Sequence, residues 1–85
     1  MQTIGQNLDL GPNGEVYVTA TKTQIEVSKI NFYIDGSLAR CTWQDFAIYL
    51  NPGEPKYCKI DGLTCGNQTK TITVTAPGNN ATIEC

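Results

Sequence analysis

The chain has no histidine in its 85 residues. That absence removes Ser-His-Asp and Cys-His nucleophile systems, histidine metal sites and the usual general base near neutral pH. Charge is also sparse: 8 acidic and 6 basic residues give a net charge of −2, and charged residues make up only 16 %, low for a cytosolic protein. The six basic residues, Lys22, Lys29, Arg40, Lys56, Lys59 and Lys70, are scattered. A nucleic-acid partner, which selects for a basic patch, and a polybasic membrane site are both disfavoured. No apolar run approaches the length of a transmembrane helix, so membrane insertion is not expected. The start, MQTIGQNLDL, has neither a basic n-region nor an apolar h-region. A secreted chain is therefore expected to have lost its signal peptide, with Met1 an added initiator.

Cysteine is what the chain does have. Cys41, Cys58, Cys65 and Cys85 all lie in the C-terminal half. An even count in a chain this short predicts a disulfide framework and an oxidising, extracellular setting. Zinc is disfavoured because 16 residues separate Cys41 from Cys58 and 6 separate Cys58 from Cys65, with no C-x₂-C knuckle. No C-x-x-C supports thiol redox chemistry, no acidic cluster resembles a calcium loop, and the dispersed glycines do not form a phosphate-binding loop. No cofactor is expected. Asn67-Gln68-Thr69 and Asn80-Ala81-Thr82 are candidate N-glycosylation sites.

Periodicity predicts an all-β chain. Glu15-Val16-Tyr17-Val18-Thr19 is β-rich, and Thr71 to Ala76 alternates with Ile72, Val74 and Ala76 inward. Ile25 and Val27 share one parity and Ile30, Phe32 and Ile34 the other, which places a bulge near Ser28-Lys29. Cys41 and Trp43 share one parity and Phe46, Ile48 and Leu50 the other, with a break near Gln44-Asp45. Asp35-Gly36 and Asp61-Gly62 read as two-residue hairpin turns. Longer turns fall at 10–14, 51–55 and 77–80. Six to seven short strands follow, in one domain spanning residues 1–85. The predicted fold is a small antiparallel β-sandwich or barrel, stapled by disulfides.

The turns set expected registers. A hairpin centred on Gly78-Asn79 pairs Ala76 with Ala81, Val74 with Ile83 and Ile72 with Cys85, which points Cys85 into the core. One centred on Asp61-Gly62 pairs Ile60 with Leu63 and Cys58 with Cys65. Both pairs are then hydrogen-bonded, with Cβ atoms further apart than in non-hydrogen-bonded pairs, which disfavours a direct Cys58–Cys65 bridge. Two connectivities stay open: Cys41–Cys58 with Cys65–Cys85, or Cys41–Cys65 with Cys58–Cys85. The first is favoured because it closes shorter loops.

Catalysis is not expected. Two carboxylates suffice for glycoside hydrolysis, but Asp35 and Asp61 are explained by their turns, and only Asp45, close to Trp43, stands apart. Recognition is left. Outward parity makes Tyr17, Tyr33 and Tyr49 candidate partner contacts, together with Trp43 and Tyr57. For Trp43 the competing reading is packing on a disulfide in the core. The expected partner is an extracellular protein or a glycan, met by a monomer. A proline-restricted loop at 51–55 also fits a small inhibitor of a secreted enzyme.

In size, strand number, disulfide staples and a cysteine at the extreme C-terminus, the chain resembles small secreted fungal effectors, notably the six-stranded MAX-type sandwiches. Architecture carries the resemblance, not a sequence motif, and the segment before Gly14 adds a strand to the simplest six-stranded plan. The resemblance implies a non-enzymatic protein that binds host or surface targets through strand edges and loops.

Overall fold

Asp35 and Gly36 both take positive φ, 50° and 86°. That pair of left-handed residues is the type I′ turn whose twist matches a two-residue hairpin. It joins β4 (Asn31–Ile34) to β5 (Ser37–Ala39), with Ile34 opposite Ser37. The Asp35 carboxylate accepts the Thr71 N–H at 2.9 Å, and the Asp35 N–H donates to the Thr71 carbonyl at 2.8 Å. The turn is thereby fastened to the next strand of the same sheet.

The computed structural model describes residues 2–85; Met1, expected to be an added initiator, lies outside them. The other strands are β1 (Asp9–Leu10), β2 (Glu15–Val18), β3 (Ile25–Glu26), β6 (Cys41–Trp43), β7 (Tyr49–Leu50), β8 (Lys56–Ile60), β9 (Thr71–Ala76) and β10 (Asn79–Glu84). Among the described residues seven strands run to three or more residues, in line with the six to seven expected from periodicity. They form two four-stranded sheets, β1-β2-β8-β6 and β10-β9-β4-β5, plus the small pair β3-β7. All strand ladders are antiparallel, and the sheets do not close into a barrel. The chain changes sheets in one residue: Arg40 separates β5 from β6, and its carbonyl accepts the Asp61 N–H at 3.1 Å.

Period-2 alternation delivers the core. Val16, Val18, Cys58 and Ile60 face inward from one sheet; Phe32, Ile72, Val74 and Ala81 face inward from the other. Ile4, Leu8, Ala20, Ile25 and Leu50 complete the cluster. Phe32 meets Trp43 edge-on across the sheets, with ring centroids 5.7 Å apart at 61°, the geometry aromatic quadrupoles favour. Both expected phase breaks are tight turns: a 3₁₀ turn at Val27–Lys29, and at Gln44–Phe46 a turn in which Asp45 and Phe46 take positive φ.

Two registers need correction. The last hairpin turns on Pro77-Gly78, not Gly78-Asn79, so Ala81 opposes Val74 and Ile83 opposes Ile72. Proline sets φ for the first turn position, and Gly78 at φ 105° supplies the second. The shift is two residues, so every side chain keeps its face, and Cys85 lies beside Lys70, donating its N–H to that carbonyl at 3.2 Å. Asp61-Gly62 does turn, but no strand returns along β8. The β8 neighbours are instead β2 and β6, which leaves no Cys58/Cys65 ladder pair.

The disulfides are Cys41–Cys58 and Cys65–Cys85. The first closes a diagonal of the β6–β8 ladder, where Cys41 opposes Ile60 and Trp43 opposes Cys58, at a Cα separation of 5.5 Å. The second fastens the end of β10 to the irregular stretch 61–70.

Asn79 has a role beyond its turn. Its Oδ1 accepts the Thr3 N–H at 2.8 Å and the Ile4 N–H at 3.0 Å, and its Nδ2 donates to the Ile4 carbonyl at 3.0 Å. The Thr3 hydroxyl donates to the Pro77 carbonyl alongside. One amide thus holds the N-terminal segment, and with it the buried Ile4, against the last hairpin. Asn79→Ala removes three hydrogen bonds and leaves Ile4 N–H and C=O unpaired, with an expected loss of about 2–3 kcal/mol. Denaturant unfolding measures it; a change under about 0.5 kcal/mol, within the range of an ordinary surface substitution, contradicts this role.

Candidate functional site

Three tight turns share one backbone solution. Asn13-Gly14 has φ values of 60° and 80°, Asp35-Gly36 has 50° and 86°, and Asp45-Phe46 has 53° and 54°. The third is closed by the Ala47 N–H donating to the Gln44 carbonyl at 3.0 Å. In the first two, glycine takes the second left-handed position without steric cost. In the third a phenylalanine takes it, against a penalty of roughly 1–2 kcal/mol for a residue with Cβ. Burial does not offset that penalty, because Phe46 is 84 % exposed. Phe46 thus combines a strained backbone conformation with an unburied aromatic side chain.

Its neighbours extend the feature. Ile48 is 68 % and Tyr49 45 % exposed, so among the described residues three of the five exposed large apolar side chains fall within residues 46–49. This overturns the expectation that Phe46 and Ile48 point inward with Leu50. The period-2 rule fails because the chain makes a left-handed turn at Asp45-Phe46, and only Tyr49–Leu50 resumes a strand. Leu50 alone is buried. The loop is held at both ends. The Val27 N–H donates to the Ile48 carbonyl at 3.0 Å, Tyr49 opposes Glu26 in the β3–β7 ladder, and the Tyr57 N–H reaches Gln44 Oε1 at 3.5 Å. An apolar surface already held in place loses little conformational freedom on binding.

Tyr49 also borders an open cleft of about 300 Å³, lined further by Thr3, Thr23, Gln24, Glu26 and Lys29 among others. Two threonines, a glutamine, a glutamate and a lysine therefore line the cleft together with one tyrosine. Gln24 is positioned by its amide, which donates to Asn51 Oδ1 at 2.9 Å.

The other candidates lie apart in the ladders. Tyr17 and Tyr57 oppose each other on the outer face of the first sheet, half-buried, with rings edge-on at 5.6 Å. Tyr33 is half-buried on the outer face of the second sheet, between Thr73 and the exposed Leu38. Trp43 is half-buried and packs on the core. Asp45 is exposed in its turn, and Asn67 and Asn80 are both exposed. The 51–55 loop is tied back by the Gly53 N–H, which donates to the Ala20 carbonyl at 3.1 Å. Among the described residues no three His, Cys, Asp or Glu side chains gather as a metal site, and no helix is long and apolar enough to cross a membrane.

Parity reasoning finds Tyr49 but misses Phe46, Ile48 and the polar side chains of the cleft. The one available signal is the Asp45-Phe46 pair, an Asp-x turn at a phase break whose second residue is not glycine. Compared with protein-family models, curated proteins and solved structures, the chain matches none. Its all-β fold with two disulfides is compatible with an effector-like domain, and nothing in it identifies the MAX type.

Proposed function

We propose that this chain is a secreted, non-enzymatic binding protein, effector-like, that recognises a host or extracellular protein through the Phe46–Tyr49 loop. One observation carries the reading: Phe46 occupies the glycine position of a type I′ turn while 84 % exposed. Aromatic anchors dominate interface energies when they enter a partner's pocket, and the pinned backbone presents this one ready-made. The two disulfides support an oxidising, extracellular-type setting. One copy of the chain suffices for this contact.

A second reading, a carbohydrate-binding or cell-wall surface protein, draws on the cleft. Tyr49 offers an aromatic platform, and Gln24 and Glu26 offer hydrogen-bonding groups for hydroxyls.

Phe46→Gly separates fold from function. It relieves the left-handed strain, so stability should rise by roughly 0.5–1 kcal/mol in thermal unfolding, after the extra chain entropy of glycine. Affinity for a protein partner should fall about thirtyfold, the loss of a 2 kcal/mol anchor. The check is affinity capture from extracellular fluid with wild type, Phe46→Gly and Glu26→Gln as baits. A protein held by wild type and Glu26→Gln but released by Phe46→Gly supports the first reading. Equal retention by all three counts against it. A glycan-array signal lost only in Glu26→Gln moves the assignment to the cleft.

A further inference from the structure

Among the described residues the longest edge strand of the two large sheets is β10. β10 lies at the end of its sheet and pairs only with β9, in a ladder unbroken from Asn79 to Glu84. The Cys85 N–H donates to the Lys70 carbonyl. Antiparallel ladders alternate hydrogen-bonded and non-hydrogen-bonded pairs, so Ala81 and Ile83 also bond to β9. Asn80, Thr82 and Glu84 then turn their N–H and C=O groups away from the sheet. None of these backbone groups finds a partner elsewhere among the described residues. Edge strands are ordinarily blunted by lysine, proline, a bulge or a covering segment. β10 contains no lysine and no proline, its one charge is Glu84 at the far end, and among the described residues the N-terminal segment hydrogen-bonds to it through Asn79, its first residue. The other edges of the two large sheets are shorter, at two or three residues for β1, β5 and β6.

We infer that β10 pairs with β10 of a second copy of this chain, antiparallel, about a two-fold axis through Thr82. The strand is self-complementary in that register. Asn80 faces Glu84 of the second copy, and Glu84 faces its Asn80, so an amide donor meets a carboxylate twice. The two Thr82 side chains meet on the axis, a favourable cross-strand pair. The outward groups of Asn80, Thr82 and Glu84 form about six hydrogen bonds between the copies. Ala81 opposes Ile83 on the inner face, which covers the half-buried Ile83. The contact is isologous, so it closes on two copies and does not propagate. It involves no residue of the Phe46 loop and does not rest on the reading of that loop. A glycan on Asn80 would stand inside the same interface.

The test uses the full chain without glycans. Sedimentation equilibrium should show the mass rising from one chain toward two as concentration increases. Hydrogen exchange of the Asn80, Thr82 and Glu84 amides should slow in parallel, while Ile72 on the adjacent strand is unchanged. Thr82→Lys sets two ammonium groups against each other and should weaken pairing about tenfold or more. Asn80→Lys places an ammonium opposite each Glu84 and should tighten pairing roughly three- to tenfold. Both sites are exposed, so neither variant should disturb the fold; if Thr82→Lys does not fold, tightening by Asn80→Lys still tests the register. A single-chain mass at every concentration overturns the inference. So does a shift of the same sign in both variants, or slowed exchange at amides other than these three.

Discussion

Reduction of the two disulfides under otherwise native conditions is expected to unfold this protein. The bridges span 17 and 20 residues, and each contributes roughly 3 kcal/mol by restricting the unfolded chain. About 6 kcal/mol is lost from a domain whose total stability is on the order of 5–15 kcal/mol, at a size where the core alone is marginal. The order of opening follows access. Cys58 is fully buried between β2 and β6, whereas Cys65 and Cys85 are both half-exposed. Limiting reductant followed by alkylation and mass spectrometry should label Cys65 and Cys85 first. Their release frees the end of β10, and loss of Cys41–Cys58 then removes the diagonal staple of β6 to β8. A thermal transition unmoved by reductant, with all four thiols alkylated, refutes the expectation.

Phe32→Ala should cost about 3–5 kcal/mol, the range for truncating a buried aromatic. Phe32 is 1 % exposed at the centre of its sheet, with Val74 on one side and Ala39 on the other. It also supplies the ring contact that joins the two sheets through Trp43. The cavity opens beneath the only tryptophan in the chain, so its fluorescence should report the change in the folded state while denaturant unfolding reports the energy. A loss under about 1 kcal/mol would mean that the sheets are held together elsewhere.

Local chemistry makes several features of the fold legible in the residues themselves. Asp35-Gly36 favours positive φ twice, and both residues adopt it. Alternation in 71–76 puts Ile72 and Val74 inside. The preference for short loops favours the observed pairing of Cys41 with Cys58 and Cys65 with Cys85, although the Asp61-Gly62 hairpin that disfavours a Cys58–Cys65 bridge does not form. A turn motif specifies reversal of the chain, not the presence of a strand to receive it, and β8 already has a neighbour on each side. The last hairpin shows the complementary case: its turn lies one residue from the expected position, the register slips by two, and no side chain changes face.

The candidate site is far less legible. Parity places Phe46 and Ile48 inside because a periodic rule assumes that the strand continues. The chain instead turns at Asp45-Phe46, using a conformation that phenylalanine adopts at a cost. Asn79 reads as a turn residue because its three partners lie on Thr3 and Ile4, more than 70 positions away in sequence.

By itself the sequence determined the all-β class, most turn positions and the face of each continuous strand, since these depend on φ/ψ preference and the two-residue repeat within a few neighbouring residues. Only the tertiary structure decided that β8 lies between β2 and β6, that β10 ends its sheet with an open edge, and that Phe46 stands in solvent. Those outcomes depend on which distant segments win the competition for each strand's backbone hydrogen bonds, and no local pattern records the winner.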